Sequence, residues 1–163
     1  MADEGRPHPR LTHTDDQGRA RMVDVGGKPV TERKAIAEAL VVMSAATLDL
    51  IFDGVLPKGD ALGTARLAGI MGVKKTPELI PLCHPISVSG VTVDLERAET
   101  GVLVRTTVTT SDRTGVEMEA LTGSAVASLT LYDMIKGVDR GARIEKIRLL
   151  HKSGGRSGEW AAG

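Results

Sequence analysis

The sequence predicts an α+β sandwich, a largely antiparallel sheet with helices packed on one face. Three observations carry that reading. Residues 86–96 and 102–110 alternate apolar and polar side chains with period two around Glu99-Thr100-Gly101, which predicts a β-hairpin. Long segments before and after it place apolar residues three and four apart, the helical signature. A helix then returns the chain from the hairpin to a last strand, so the sheet is expected to be antiparallel and covered from one side.

In chain order, residues 1–18 are polar and aperiodic and are expected as a disordered arm, 19–158 as a single domain, and 159–163 as a tail. Arg19 to Val25 is expected as a short strand, broken by Gly26-Gly27-Lys28-Pro29. Thr31 fits a helix N-cap. The stretch 31–54 is then expected as one helix, because Ile36, Leu40, Met43, Thr47 and Leu50 or Ile51 recur at helical spacing and Gly54 stands where a C-cap belongs. A second helix is expected from Gly59 to Lys75, with a small-residue face of Leu62, Ala65, Arg66, Gly69 and Ile70, ended by Thr76-Pro77. In the hairpin, Val91, Val93 and Leu95 take one face of the first strand, and Val102, Val104 and Val108 share a face with Thr106 in the second. Thr114-Gly115 opens a third helix to about Val138, with a ridge of Ala120, Gly123, Ser124, Ala127 and Ser128, and residues 144–150 form the last strand before a glycine-rich run, KSGGRSG (152–158).

Composition bounds the function. The 163 residues are enough to bury a sizeable single core. Twenty-one Lys+Arg balance 21 Asp+Glu, so no global basic field attracts nucleic acid, and three aromatic residues make no base-stacking platform. Any polyanion must be held locally. One cysteine rules out an internal disulfide, and the start MADEGRPHPR has neither an apolar core nor a cleavage site of a leader, so a cytoplasmic protein is expected. The longest apolar candidate for a membrane span, 35–54, is interrupted by Glu38, Asp49 and Asp53.

Four places could carry chemistry. On the third helix, Glu119 and Asp133 return to within about 40° of each other, and Lys136 lies one turn beyond Asp133, so an acid, an acid and an amine can share one face. The same spacing also describes a solvated i,i+3 pair. Glu117 would point the opposite way if the helix has already begun there, and could join that face only from a preceding loop. In PLCHP (81–85) two prolines make the strip around Cys83 and His84 extended and stiff, with main-chain groups free to read a ligand edge. Cys83 reads first as a small buried apolar residue, and His84 stays open as an acid, a base or a phosphate donor. Lys58-Gly59-Asp60 precedes a helix N-terminus, where free N–H groups attract anions. KSGGRSG has the composition of a phosphate-cradling loop but not the order of one, and a floppy tail is its alternative.

Taken together, MVDVGGK (22–28), LPKGD (56–60), TARLAGI (64–70), ELIPLCHP (78–85), TGVEMEALTGSAV (114–126), LYDMIK (131–136) and KSGGRSG (152–158) resemble the MoaC family of molybdenum cofactor biosynthesis. Only the first eighteen residues and the last five fall outside the resemblance. It implies a ferredoxin-like fold and a lyase that converts a cyclised dihydro-GTP intermediate to cyclic pyranopterin monophosphate and diphosphate. It further implies a homohexamer, a trimer of dimers, with an active site at each dimer interface. Matched residue by residue, it implies Asp133, Lys136 and Lys58 as catalytic, and Leu82, Cys83, His84, Glu117, Met118, Glu119 and Lys152 as substrate-binding. His84 would touch the ligand and Cys83 would contribute mainly position. No metal is held by the protein and no cofactor is expected, with Mg²⁺ accompanying the substrate phosphates left open. At the interface, Lys58 is expected from one subunit and Asp133 with Lys136 from its neighbour. Two rival readings stand beside this: a non-catalytic nucleotide-binding regulatory module, and a structural oligomer whose small-residue ridges are interfaces.

Overall fold

The computed structural model describes residues 14, 15 and 17–163; most of the expected arm lies outside them. Five strands, β1 (Thr31–Val42), β2 (Val88–Ala98), β3 (Gly101–Asp112), β4 (Arg143–Ser153) and β5 (Trp160–Ala161), form one sheet in the order β2-β3-β1-β4-β5. Every neighbouring pair is antiparallel. The helices are α1 (Ala45–Phe52), α2 (Ala61–Lys74), the single turn α3 (Thr76–Leu79) and α4 (Glu117–Ile135). The two long helices, α2 and α4, pack on each other and on the sheet, so the molecule is the α+β, ferredoxin-like sandwich the sequence predicts. Among the described residues no helix is long and apolar enough to cross a membrane.

One expected helix is mostly a strand. Residues 31–42 form β1, the strand between β3 and β4, and only 45–52 of the expected 31–54 helix is helical. Ala35, Ala37, Ala39 and Val41 are all fully buried and alternate with half-buried residues. That is period two, and pairing on both edges outweighs the helix propensity of Ala, Glu and Leu. Ser44 caps α1, its hydroxyl accepting from the Thr47 N–H. Nor is Arg19–Val25 a strand: apart from an isolated bridge between Thr14 and Ala20 this stretch is irregular.

The hairpin stands as expected, with Ala98 opposite Gly101 across Glu99 and Thr100. Gly101 is needed there because a Cβ would collide with the Val41 carbonyl of β1. Val102, Val104, Thr106 and Val108 are fully buried. The Ser124 hydroxyl of α4 donates to Thr106 Oγ1 at 3.0 Å, satisfying both buried groups.

The small-residue ridges are consumed inside the chain. A Cβ on Gly69 would come within 3.1 Å of Ala127 Cβ, one on Gly72 within 2.9 Å of Val126, and one on Gly123 within 2.7 Å of Val73. These ridges let α2 and α4 touch backbone to backbone, so they do not supply an interface between copies.

Candidate active site

Two polar clusters lie at opposite ends of α4. At its C-terminal end the Asp133 carboxylate is gripped by two ammonium groups: Lys136, one turn on, at 2.7 Å from Oδ1, and Lys58 at 2.5 Å from Oδ2. Lys58 also donates to the Asp133 carbonyl at 2.9 Å. It reaches there from the loop between α1 and α2, where Gly59 takes φ 91°, a conformation that side chains disfavour. The hydrogen bonds from Lys136 and then Lys58 hold the Asp133 carboxyl down at about 2, and Asp133 in turn raises Lys136.

All three side chains are about half exposed, at 50% for Lys58, 53% for Asp133 and 55% for Lys136. The expected partly desolvated pocket is therefore open in a single chain, and pairing rather than burial shifts these protons. The three residues line a shallow cavity of about 340 Å³ with Leu56, Pro57 and Met134. The expected division of Lys58 from Asp133 and Lys136 between subunits is corrected: one chain brings all three together. The start of α2 is not a vacant anion site either, since Asp60 caps it, its carboxylate accepting from the Gly63 N–H at 2.8 Å.

At the other end of α4, Leu82, Cys83 and His84 meet Glu117, Met118 and Glu119 around a cavity of about 270 Å³. The strip is less extended than expected, because the Cys83 N–H closes a turn onto the Ile80 carbonyl at 3.0 Å. Glu119 is only 3% exposed. Burial pushes its carboxyl up to about 7; its own backbone N–H pulls the other way and the Glu117 charge adds to the rise. Burial, then Glu119, raises the Cys83 thiol, which makes it a poor nucleophile. His84 Nε2 sits 2.7 Å from the Val23 carbonyl and donates to it, tying the irregular 19–30 stretch over this cluster.

Helix α4 does begin at Glu117, yet its carboxylate joins the cluster: it pairs with Lys152 at 3.2 Å. Lys152 is aimed there by an irregularity in β4. Opposite β1, Ala37 pairs Leu149 while Ala35 pairs Lys152, so one extra residue in β4 turns both side chains to the helix side.

A third cavity, of about 700 Å³, adjoins this cluster and shares Thr114, Gly115 and Glu117 with it. Four cations, Lys28, Arg33, Arg113 and Arg156, line it against the single carboxylate of Glu117. Arg33 is fixed by donating to the carbonyls of Asp112 and Arg113 at 2.9 and 3.1 Å, and Arg113 donates to the Lys28 carbonyl at 3.2 Å. Of these four the residue pattern singled out only Arg156, as part of KSGGRSG. Arg33 was hidden in an expected helix, and the other three come together only through the fold.

The expected residues thus fall into two groups that one chain does not join. Glu119 and Asp133 are fourteen residues apart on α4, about 21 Å along the axis at 1.5 Å per residue. They share a helix face, as their spacing implies, but not a pocket.

Paired acid and base groups and a cationic cavity, set on an α+β sandwich, define an enzyme of small anionic molecules. The chain belongs to the MoaC family, whose model matches residues 22–155. It is 57% identical over 154 residues to the cyclic pyranopterin monophosphate synthase of Streptomyces coelicolor, covering 94% of this chain and 91% of the relative. It is 56% identical over 164 residues to that of Nocardioides sp., covering 99% of each, and 56% identical over 154 residues to that of Cereibacter sphaeroides, covering 93% and 97%.

Proposed function

We propose that the chain is a diphosphate-releasing lyase of molybdenum cofactor biosynthesis. It converts the cyclised dihydro-GTP intermediate to cyclic pyranopterin monophosphate in an active site built from two copies of the chain. The observation that carries the catalytic reading is Asp133 held between Lys58 and Lys136. A regulatory nucleotide-binding module has no use for that triad.

The composite site follows from the two ends of α4. A single nucleotide cannot engage Glu119 and Asp133 of one chain across about 21 Å of solid helix. If α4 crosses a copy of itself head to tail about a two-fold axis, the start of one helix meets the end of the other, and two identical sites result. Leu67 and Met71 on α2 and Leu129 on α4, exposed by 65%, 58% and 59%, are apolar area that such a partner would cover. Three such dimers make the proposed homohexamer.

In this site the triphosphate lies on Lys28, Arg33, Arg113, Arg156 and Lys152, and the purine-derived ring on Leu82, Cys83, His84, Met118 and Glu119. The partner supplies Lys58, Asp133 and Lys136. While both lysines hold it, Asp133 is too weak a base to act. Arriving phosphates compete for the lysines and free the carboxylate to take the proton of a ribose-derived hydroxyl. That oxygen attacks the α-phosphate, the bond to diphosphate breaks, and the lysines offset the charge that leaves. Glu119, titrating near neutrality, gives and takes protons during ring opening and reclosure. Under this reading the enzyme works in the cytoplasm without a resident cofactor.

The test is incubation with the cyclised intermediate and assay of both pterin and diphosphate. Equal yields of the two are expected; diphosphate without pterin would sink the assignment.

A further inference from the structure

We propose that residues 159–162 are a latch that sets the anion-binding loop, with Glu159 and His151 as its positioning residues. This rests on the phosphate cradle proposed above. The segment lies beyond the residues that the family model matches, which end at 155.

The loop between β4 and β5 carries Arg156 into the cationic cavity. It contains Gly154, Gly155 and Gly158 at φ 91°, 71° and 66°, so by itself it has great conformational freedom. Three contacts seat its body. A Cβ on Gly154 would collide with the Glu32 carbonyl, and one on Gly155 with the Arg33 guanidinium, so the loop lies flat on β1. Ser157 Oγ accepts from Lys152 at 3.0 Å, which orients the ammonium that also meets Glu117.

What stops the loop from opening is the segment that follows. Trp160 pairs with Lys152 and Ala161 with His151 across the β4–β5 ladder, and the Ala162 N–H donates to the Leu150 carbonyl at 2.8 Å. Glu159 Oε1 lies 2.7 Å from His151 Nε2. The other ring nitrogen, His151 Nδ1, is buried and has no hydrogen-bond partner among the described residues. The Glu159 contact is thus the hydrogen bond that fixes the half-buried ring, and its loss leaves Nε2 facing solvent and the ring free to turn. Two-residue β5 is too short to hold alone, and Glu159 pins it at the end next to the loop. A loop closed at both ends loses less freedom when it binds phosphate than one closed at one end.

The latch is tested on the full chain against two variants, one ending after Gly158 and one carrying Glu159→Ala. The readouts are steady-state turnover of the cyclised intermediate, inhibition by inorganic tripolyphosphate, and trypsin cleavage after Arg156 in the native protein. The expected result is a rise in KM and in the tripolyphosphate inhibition constant of about 3- to 10-fold each. The kcat should stay within about two-fold, and cleavage after Arg156 should become faster. Glu159→Gln, which keeps an acceptor for the ring, should fall between Glu159→Ala and wild type. Unchanged KM and inhibition, or a fall in kcat at constant KM, overturns the latch. If the shortened chain does not fold, Glu159→Ala decides. Faster trypsin cleavage after Arg156 in the variants, with no pterin formed even by wild type, upholds the latch and refutes the assigned reaction instead.

Discussion

Asp133 and Glu119 are the same kind of group driven in opposite directions by their surroundings. Asp133, half exposed between two ammonium groups, is held down at about 2, whereas Glu119, almost fully buried beside Glu117, is pushed up to about 7. Asp133→Asn keeps the shape and removes the acceptor. It should fold with a near-native Tm, since exposed ion pairs contribute about 1 kcal/mol or less, and lose turnover by about 10²- to 10⁴-fold. Near-native turnover would remove Asp133 from the mechanism. Glu119 makes a prediction about stability. Its folded-state value lies above the ordinary 4.5, so between those two values the folded protein holds more protons than the unfolded chain. Stability is therefore lost as pH rises through that window, and the cost is complete above about 7. Glu119→Gln should raise Tm by a few degrees at pH 8, and the gap should close by pH 4. A gap independent of pH would mean that the carboxyl is not buried as a neutral acid. The residue types of both groups, and their common helix face, were legible in the sequence. Their opposite proton affinities were not, because burial and the reach of Lys58 from a distant loop are properties of the fold.

At the scale of elements, the hairpin was readable because its alternation is carried by valines, whose contrast with Thr, Asp and Glu leaves one period only. Strand β1 was not, because its buried face is Ala35, Ala37 and Ala39. Alanine is small enough for α4 to sit close against the sheet, is also the best helix former, and here masks the alternation that marks the strand. The misreading concealed Arg33, and with it much of the cationic cavity. The extra residue in β4 that turns Lys152 toward Glu117 leaves no mark in composition at all. The small-residue ridges were visible but their partner was not: they seat α2 on α4. Gly123→Ala tests this directly. Its new methyl would come within 2.7 Å of Val73 and 2.8 Å of Thr106, so unfolding in denaturant should show a loss of about 1–3 kcal/mol. A neutral effect would mean that α2 and α4 can separate freely, and the ridge would lose its role in the core.

For the whole molecule, the question is how two half-sites about 21 Å apart on one helix serve one small substrate. The two-fold pairing proposed above would answer it, and the assignment of residues to halves can be checked by mixing inactive subunits. Lys58 and Asp133 touch within one chain, so Lys58→Ala and Asp133→Asn damage the same half. His84→Ala damages the other half, lined with Glu119 at the far end of α4. When His84→Ala subunits are mixed with Asp133→Asn subunits and allowed to exchange, each mixed dimer holds one site with both lesions and one with neither. Activity should therefore return toward one working site per mixed dimer. Mixing Lys58→Ala with Asp133→Asn should restore nothing, because every site then receives a damaged catalytic half whichever chain supplies it. The second mixture is the control that separates a composite site from general stabilisation by assembly. If exchange is verified by mass and both mixtures stay inactive, the two ends of α4 do not meet across an interface. If both recover, Lys58 and Asp133 belong to different sites despite their contact.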